Sequence, residues 1–133
     1  MKKALIPAVS ILILGLVLVG CGKVAGTTHN TSSSGCNGTV QMASSSFVQS
    51  TCTVHAGATV NFVDPQATGG YHLLCLGAHQ QCASNPDGPA ELNASGGVAF
   101  NQGDSHSYVF AKPGTYTVTC TVHPAMDITI TVQ

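Results

Sequence analysis

The chain has 133 residues, a length that suits one domain with appendages. Only 7% of the residues are charged, so the surface has to be built from Ser, Thr, Asn, Gln and Gly, which excludes partner recognition through dense charge patches. With four basic residues and a formal net charge of −1, the basic footprint of a nucleic-acid-binding protein is also excluded.

Lys2 and Lys3 precede the apolar run ALIPAVSILILGLVLVG, which ends in a small residue immediately before Cys21, the layout of an export signal. Leu18-Val19-Gly20-Cys21 resembles the lipobox of prokaryotic lipoproteins, and that resemblance implies cleavage before Cys21 with lipid attached to its sulfur. The competing expectation is an uncleaved membrane anchor; the run has about the length to span a bilayer, but Pro7 and Gly15 weaken it as a helix. Either way the remainder is expected outside the cytoplasm, held at the prokaryotic cell membrane. Cleavage leaves Lys23 and Lys112 against Asp64, Asp87, Glu91, Asp104 and Asp127, a formal charge of −3 with the histidines neutral.

From Gly22 to Gly35 the sequence GKVAGTTHNTSSSG lacks apolar periodicity and reads as a flexible tether, with a root-mean-square reach of about 20 Å. The expected division is therefore a lipoprotein signal peptide over 1–20, a lipidated cysteine and tether over 21–35, and a folded domain over 36–133. That domain shows short β-like runs separated by turn signals and no helical pattern of useful length. TVQMA and SSFVQ come first, then CTVHAGATVNFVD with a turn at His55-Ala56-Gly57-Ala58, then YHLLCLG after Gly69-Gly70. A stretch rich in Asn, Pro, Asp and Gly, 78–96, reads as irregular. SHSYVF, the turn AKPGT, TYTVTC and MDITITV close the chain. In these last runs Tyr116, Val118 and Cys120 share one face and Thr115, Thr117 and Thr119 the other, while Met126, Ile128, Ile130 and Val132 are again in phase. Seven or eight short strands without intervening helices predict an all-β, antiparallel sandwich with Greek-key connections.

Six cysteines occur, at 21, 36, 52, 75, 82 and 120. An exported domain lets disulfides persist. With Cys21 lipidated and Cys120 kept as a thiolate, four remain, and four allow three pairings. Proximity in sequence favours Cys36 with Cys52 and Cys75 with Cys82; the alternative places Cys120 in a disulfide and leaves another cysteine free.

The segment TCTVHPAM spaces Cys120, His123 and Met126 at intervals of three. Structural zinc would need two more soft or imidazole ligands at similar spacing, and no second such pair is present. An electron-transfer copper centre asks for two imidazoles and one thiolate in a plane, with a weak thioether on the axis. Three of those four are supplied here. Of the remaining histidines, His29 lies in the tether, His55 in a turn, His79 in the expected disulfide loop and His106 at the opening of a strand, all read as solvated. His72 alone combines an extended, apolar setting with a separation of 48 residues from Cys120.

ATVNFVD, His72, the turn KPGTYTVTC and Cys120-x2-His123-Pro124-x-Met126 together resemble the cupredoxin family, the small blue copper proteins. The resemblance runs from about Phe47 to Gln133; the short ligand loop is most similar to amicyanins and the general layout to plastocyanins. It implies a cupredoxin-like Greek-key β-sandwich of about eight strands, with one type 1 copper ion held by His72, Cys120, His123 and axial Met126. Two departures stand out. Many members carry Asn after the first histidine, where its side chain helps tie the ligand loops together, and here Leu73 follows. The stretch from Cys75 to Gly97, with its expected disulfide, is not a general family feature and could reshape the surface beside the site.

Four occupied ligand positions leave no room for substrate chemistry, and the chain has neither the length nor the His-x-His pairs of a multicopper oxidase, so a non-enzymatic carrier is expected. It would shuttle single electrons between redox protein donors and acceptors at the membrane surface, as a monomer, with Pro124, Ala125 and Met126 offering an apolar exit beside His123. The alternatives are an exported protein that stores or delivers copper, and a surface domain that keeps the fold without the metal.

Overall fold

A computed structural model describes residues 36–133. The expectations for the signal run, for Cys21 and for the tether with His29 lie outside these residues. Among the described residues no helix is long and apolar enough to cross a membrane.

Nine strands form two sheets. The smaller sheet contains β1 (Thr39–Gln41), β3 (Ala58–Val63) and β7 (Ser105–Phe110), in the order β1-β3-β7. The larger runs β2-β9-β8-β4-β5, with β6 pairing β4 as well: β2 (Thr51–Val54), β9 (Asp127–Val132), β8 (Gly114–Cys120), β4 (His72–Ala78), β5 (Gln81–Cys82) and β6 (Val98–Phe100). The all-β sandwich thus stands, but it is mixed rather than antiparallel throughout. β1 pairs β3 and β2 pairs β9 in parallel. Parallel neighbours need a crossover, and β2 provides one: the chain leaves β1, runs up the other sheet as β2, and returns through the turn at Ala56-Gly57 into β3. The turn expected at His55–Ala58 lies between strands, β2 and β3, and carries the chain from one sheet to the other; Gly57 takes φ +81° there. SSFVQ contributes only a single bridge, Met42 to Phe47. The irregular stretch holds β5 and one 3-10 turn, Ala90–Asn93, whose Leu92 is buried.

Alternation along each strand fills the space between the sheets. Val40, Val60, Phe62, Tyr108 and Phe110 meet Leu74, Leu76, Tyr116, Val118, Ile128 and Ile130 in one core cluster. Phe62 packs edge-to-face on Tyr108 at 5.7 Å and Phe110 on Tyr116 at 5.3 Å between ring centres, the favoured aromatic geometry. The Tyr116 hydroxyl donates to the Lys112 carbonyl at 2.8 Å, pinning the AKPGT turn that feeds β8. Cys36–Cys52 and Cys75–Cys82 are the two disulfides, with Cα atoms 5.1 and 5.6 Å apart. The first closes a loop of about 15 residues, worth about 3 kcal/mol on the chain-entropy account, and ties the start of the domain to β2.

Candidate metal centre

β4 and β8 are antiparallel neighbours with Leu74 opposite Cys120. That register brings the first residue of β4, His72, beside the last residue of β8. The Thr121 N–H donates to the Leu73 carbonyl at 2.9 Å and carries the pairing one step past Cys120. The chain then turns back over 121–126: Cys120 N–H donates to the Met126 carbonyl at 3.0 Å and Met126 N–H to the His123 carbonyl at 3.4 Å. Ala125 sits in the left-handed region, φ +60°, to complete the reversal before β9.

The result is a cluster of three donors from two places in the sequence. His72 Nδ1 lies 3.9 Å from Cys120 Sγ and His123 Nδ1 lies 3.6 Å from it. The two imidazoles stand edge-to-face with ring centres 5.0 Å apart, and the donor atoms of all three residues fall within 4.8 Å of one another. Met126 is buried at the far end of the loop, as is Cys120, the unpaired cysteine among the described residues. A trigonal ion with bonds of about 2.0 Å to nitrogen and 2.3 Å to sulfur would set each nitrogen about 3.7 Å from the thiolate. The separations observed, 3.9 and 3.6 Å, fit that requirement.

Burial holds the His72 imidazole below its ordinary pKa, and His123 pushes the same way; the Asp64 carboxylate and, more weakly, the Ala43 backbone oppose the shift. A neutral imidazole is the form a metal needs. The Asp64 carboxylate is the polar group behind His72. It is fully buried at the end of β3, accepts the Gly70 N–H at 3.1 Å, and places Oδ1 3.8 Å from His72 Nε2. Its own Oδ2 and His72 Nε2 have no hydrogen-bond partner among the described residues. Gly69 lets the carboxylate in, since a Cβ there would stand 1.8 Å from Oδ1. At 3.8 Å the Asp64 carboxylate acts on His72 through its charge and not through a hydrogen bond. Nδ1 is the ring nitrogen that faces Cys120 Sγ, and it is the one left for a metal.

The other histidines lie elsewhere. His55, His79 and His106 are exposed, although His106 packs edge-to-face on Phe100 at 4.5 Å. His79 is solvated as expected, with its Nδ1 3.4 Å from Asp127 Oδ2. Thr119 departs from its expected place: it belongs to the outward face of β8 with Thr115 and Thr117, yet is fully buried. Gln80, in the turn between β4 and β5, covers it and donates its N–H to Thr119 Oγ1 at 3.1 Å. Asp64, Gln80 and Thr119 are the site-related residues that sequence reasoning missed. Asp64 alone left a signal, a lone carboxylate closing the apolar strand ATVNFV.

Two imidazoles, a buried thiolate and a thioether on a β-sandwich are the donor set of a mononuclear type 1 copper site, and His72, Cys120, His123 and Met126 form a candidate for it. The family model described as copper binding proteins, plastocyanin/azurin family, matches residues 34–133, and the chain belongs to that family. Its fold is similar to that of amicyanin from Paracoccus versutus (21% identity, TM-score 0.52, covering 71% of this chain and 79% of that one). It is equally similar to a Cu(I) form of an amicyanin variant (22% identity, TM-score 0.53, covering 71% and 80%). A copper-containing nitrite reductase from Thermus scotoductus also matches (26% identity, TM-score 0.51), but this chain spans only 22% of that enzyme's length. No curated protein matches by sequence at a significant level.

Proposed function

We propose that this chain is a membrane-tethered electron carrier working outside the cytoplasm, passing single electrons between redox proteins at the membrane surface. The observation that carries the reading is the convergence of His72, Cys120 and His123 within 4.8 Å, with Cys120 buried and outside both disulfides. Copper supplies the one-electron couple. The chain's residues do the rest: β4 and β8 hold two buried donors in the sandwich, and the buried Met126 would supply the fourth. His123 is partly exposed, and Val122, Pro124 and Ala125 beside it reach solvent, so electrons enter and leave through this loop.

With Met126 as the fourth donor beside His72, Cys120 and His123, the chain itself would fill every position on the metal and leave none for a substrate, which supports a carrier over an enzyme. Burial of His72, Cys120 and Met126 also disfavours rapid delivery of the metal to another protein. The LVGC motif supports lipid attachment at Cys21, and the charge-poor surface is consistent with a monomer.

The test is the visible and EPR spectrum of the purified full chain after Cu(II) addition, beside Cys120→Ser. An intense blue band, lost in the variant and bleached reversibly by reductant, is expected; a colourless protein overturns the reading. Mass spectrometry of the chain recovered from producing cell membranes tests the anchor: an N-terminus at Cys21 carrying acyl mass is expected, and an intact 1–20 run refutes it.

A further inference from the structure

β4 and β5 are joined by a two-residue turn in which His79 and Gln80 both lie in the left-handed region, at φ +54° and +66°. Asn-Gly is the usual choice for such a turn because those residues reach the conformation at little cost. His-Gln is not chosen for backbone ease. Its polar groups all point one way instead. His79 N–H donates to both carboxylate oxygens of Asp127, at 3.3 and 3.2 Å. Gln80 N–H donates to Thr119 Oγ1 at 3.1 Å, and the Gln80 side-chain amide donates to the Thr121 carbonyl at 3.1 Å. Thr119 and Thr121 flank Cys120, and Asp127 follows Met126. The Cys75–Cys82 disulfide closes the same hairpin onto β4, the strand that carries His72.

We propose that this disulfide-braced hairpin is an outer clamp on the ligand loop, in which His79 and Gln80 are positioning residues that fix Cys120 and Met126 through their chain neighbours. The proposal rests on the copper reading above. Both backbone groups of Thr121 are taken, its N–H by the Leu73 carbonyl and its carbonyl by the Gln80 side-chain amide, and the ligand loop is so tied from outside. The clamp explains why Thr119 is buried on a face whose periodicity points outward. Each contact on the hairpin side is a hydrogen bond to a residue adjoining a ligand, so the clamp acts on the loop's shape and touches none of the ligands.

The test uses the full chain with Thr119→Val, which removes the acceptor, Thr119→Ser, which restores it, and Gln80→Leu, which removes only a half-buried amide. Two readouts are taken. In metal-free protein, hydrogen exchange is followed at the Cys120, Thr121 and Met126 amides, with β3 and β7 as reference. In copper-loaded protein, the reduction potential and the rate of copper loss to a chelator are measured. Thr119→Val and Gln80→Leu are expected to speed both loop exchange and copper loss about tenfold, the lower end of what outer-shell changes cost a metal site. The reference strands stay unchanged and Thr119→Ser returns to the parent values. Unaltered loop exchange in both variants, or acceleration spread equally over both sheets, overturns the clamp. A parent chain that takes up no copper overturns the metal reading instead, while the metal-free exchange still decides the clamp.

Discussion

The two imidazoles of the candidate site are held in opposite ways. His72 opens a strand, is wholly buried, and has a buried carboxylate at its back. His123 belongs to a loop between strands, is partly exposed, and follows an exposed Val122. The sandwich core fixes the first; the second has only its loop, where the His123 carbonyl accepts the Met126 N–H. One half of the site is therefore built for position and the other for access, which is the division an electron carrier needs.

The largest effect expected from breaking this contrast is at Asp64. Asp64→Ala would leave the Gly70 N–H without its acceptor, a loss of about 1–3 kcal/mol in stability for a stranded, part-buried group, and would take the carboxylate charge away from His72. Copper affinity should fall by about 10–100-fold, the range seen when outer-shell partners are removed. Asp64→Asn keeps the shape and removes the charge, and should raise the reduction potential, because the oxidised ion loses a nearby anion. Chelator competition and voltammetry check both. A potential that does not move in Asp64→Asn would show that the carboxylate only fills space.

Next comes acid. The folded-state pKa of His72 is lowered, chiefly by burial, so below its unfolded value of about 6.5 the unfolded chain binds a proton that the folded chain refuses. Its contribution to metal-free stability is complete above that pH and is lost progressively as the pH falls from about 6.5 towards the folded-state value. Denaturant titrations of the metal-free chain at pH 7.5 and 5.5 should show this loss, and His72→Gln should flatten it. A wild-type curve as steep as the variant's would place the acid sensitivity elsewhere.

A smaller and more selective effect is expected on the exposed side. Pro124→Glu adds a charge to the loop surface without touching a donor, so the spectrum and potential should hold while electron exchange with a physiological partner slows. Unchanged reaction with every partner would mean that electrons leave by another face.

The contrast between the halves also explains what could be read from the sequence. The loop half was legible because its donors are close along the chain, and Cys120, His123 and Met126 declare themselves by spacing. His72 needed context, namely an apolar strand and the right separation. The sheets followed from alternation, but the parallel pairs did not, since periodicity is blind to which sheet a strand joins. Nor were Asp64, Thr119 and Gln80 legible as a set. Asp64 meets His72 only after β3 and β4 have been placed, and Thr119 keeps its outward phase in the pattern while its hydroxyl accepts a hydrogen bond from Gln80, 39 residues away.

The smallest effect tests whether the loop is strained for its task. Ala125 holds φ +60°, a region where a β-carbon costs about 1–2 kcal/mol and glycine almost nothing. Ala125→Gly should relieve that cost, but glycine also loses more entropy on folding, by roughly 0.5–1 kcal/mol. The net gain in metal-free stability should therefore lie between about 0 and 1.5 kcal/mol. If the loop is held from outside as proposed, the added freedom will not reach the donors, and the spectrum and copper-loss rate will match those of the parent chain. A stabilised protein that loses copper faster would show the opposite: Ala125 itself would be keeping the loop in shape, and the hairpin would matter less than its hydrogen bonds suggest.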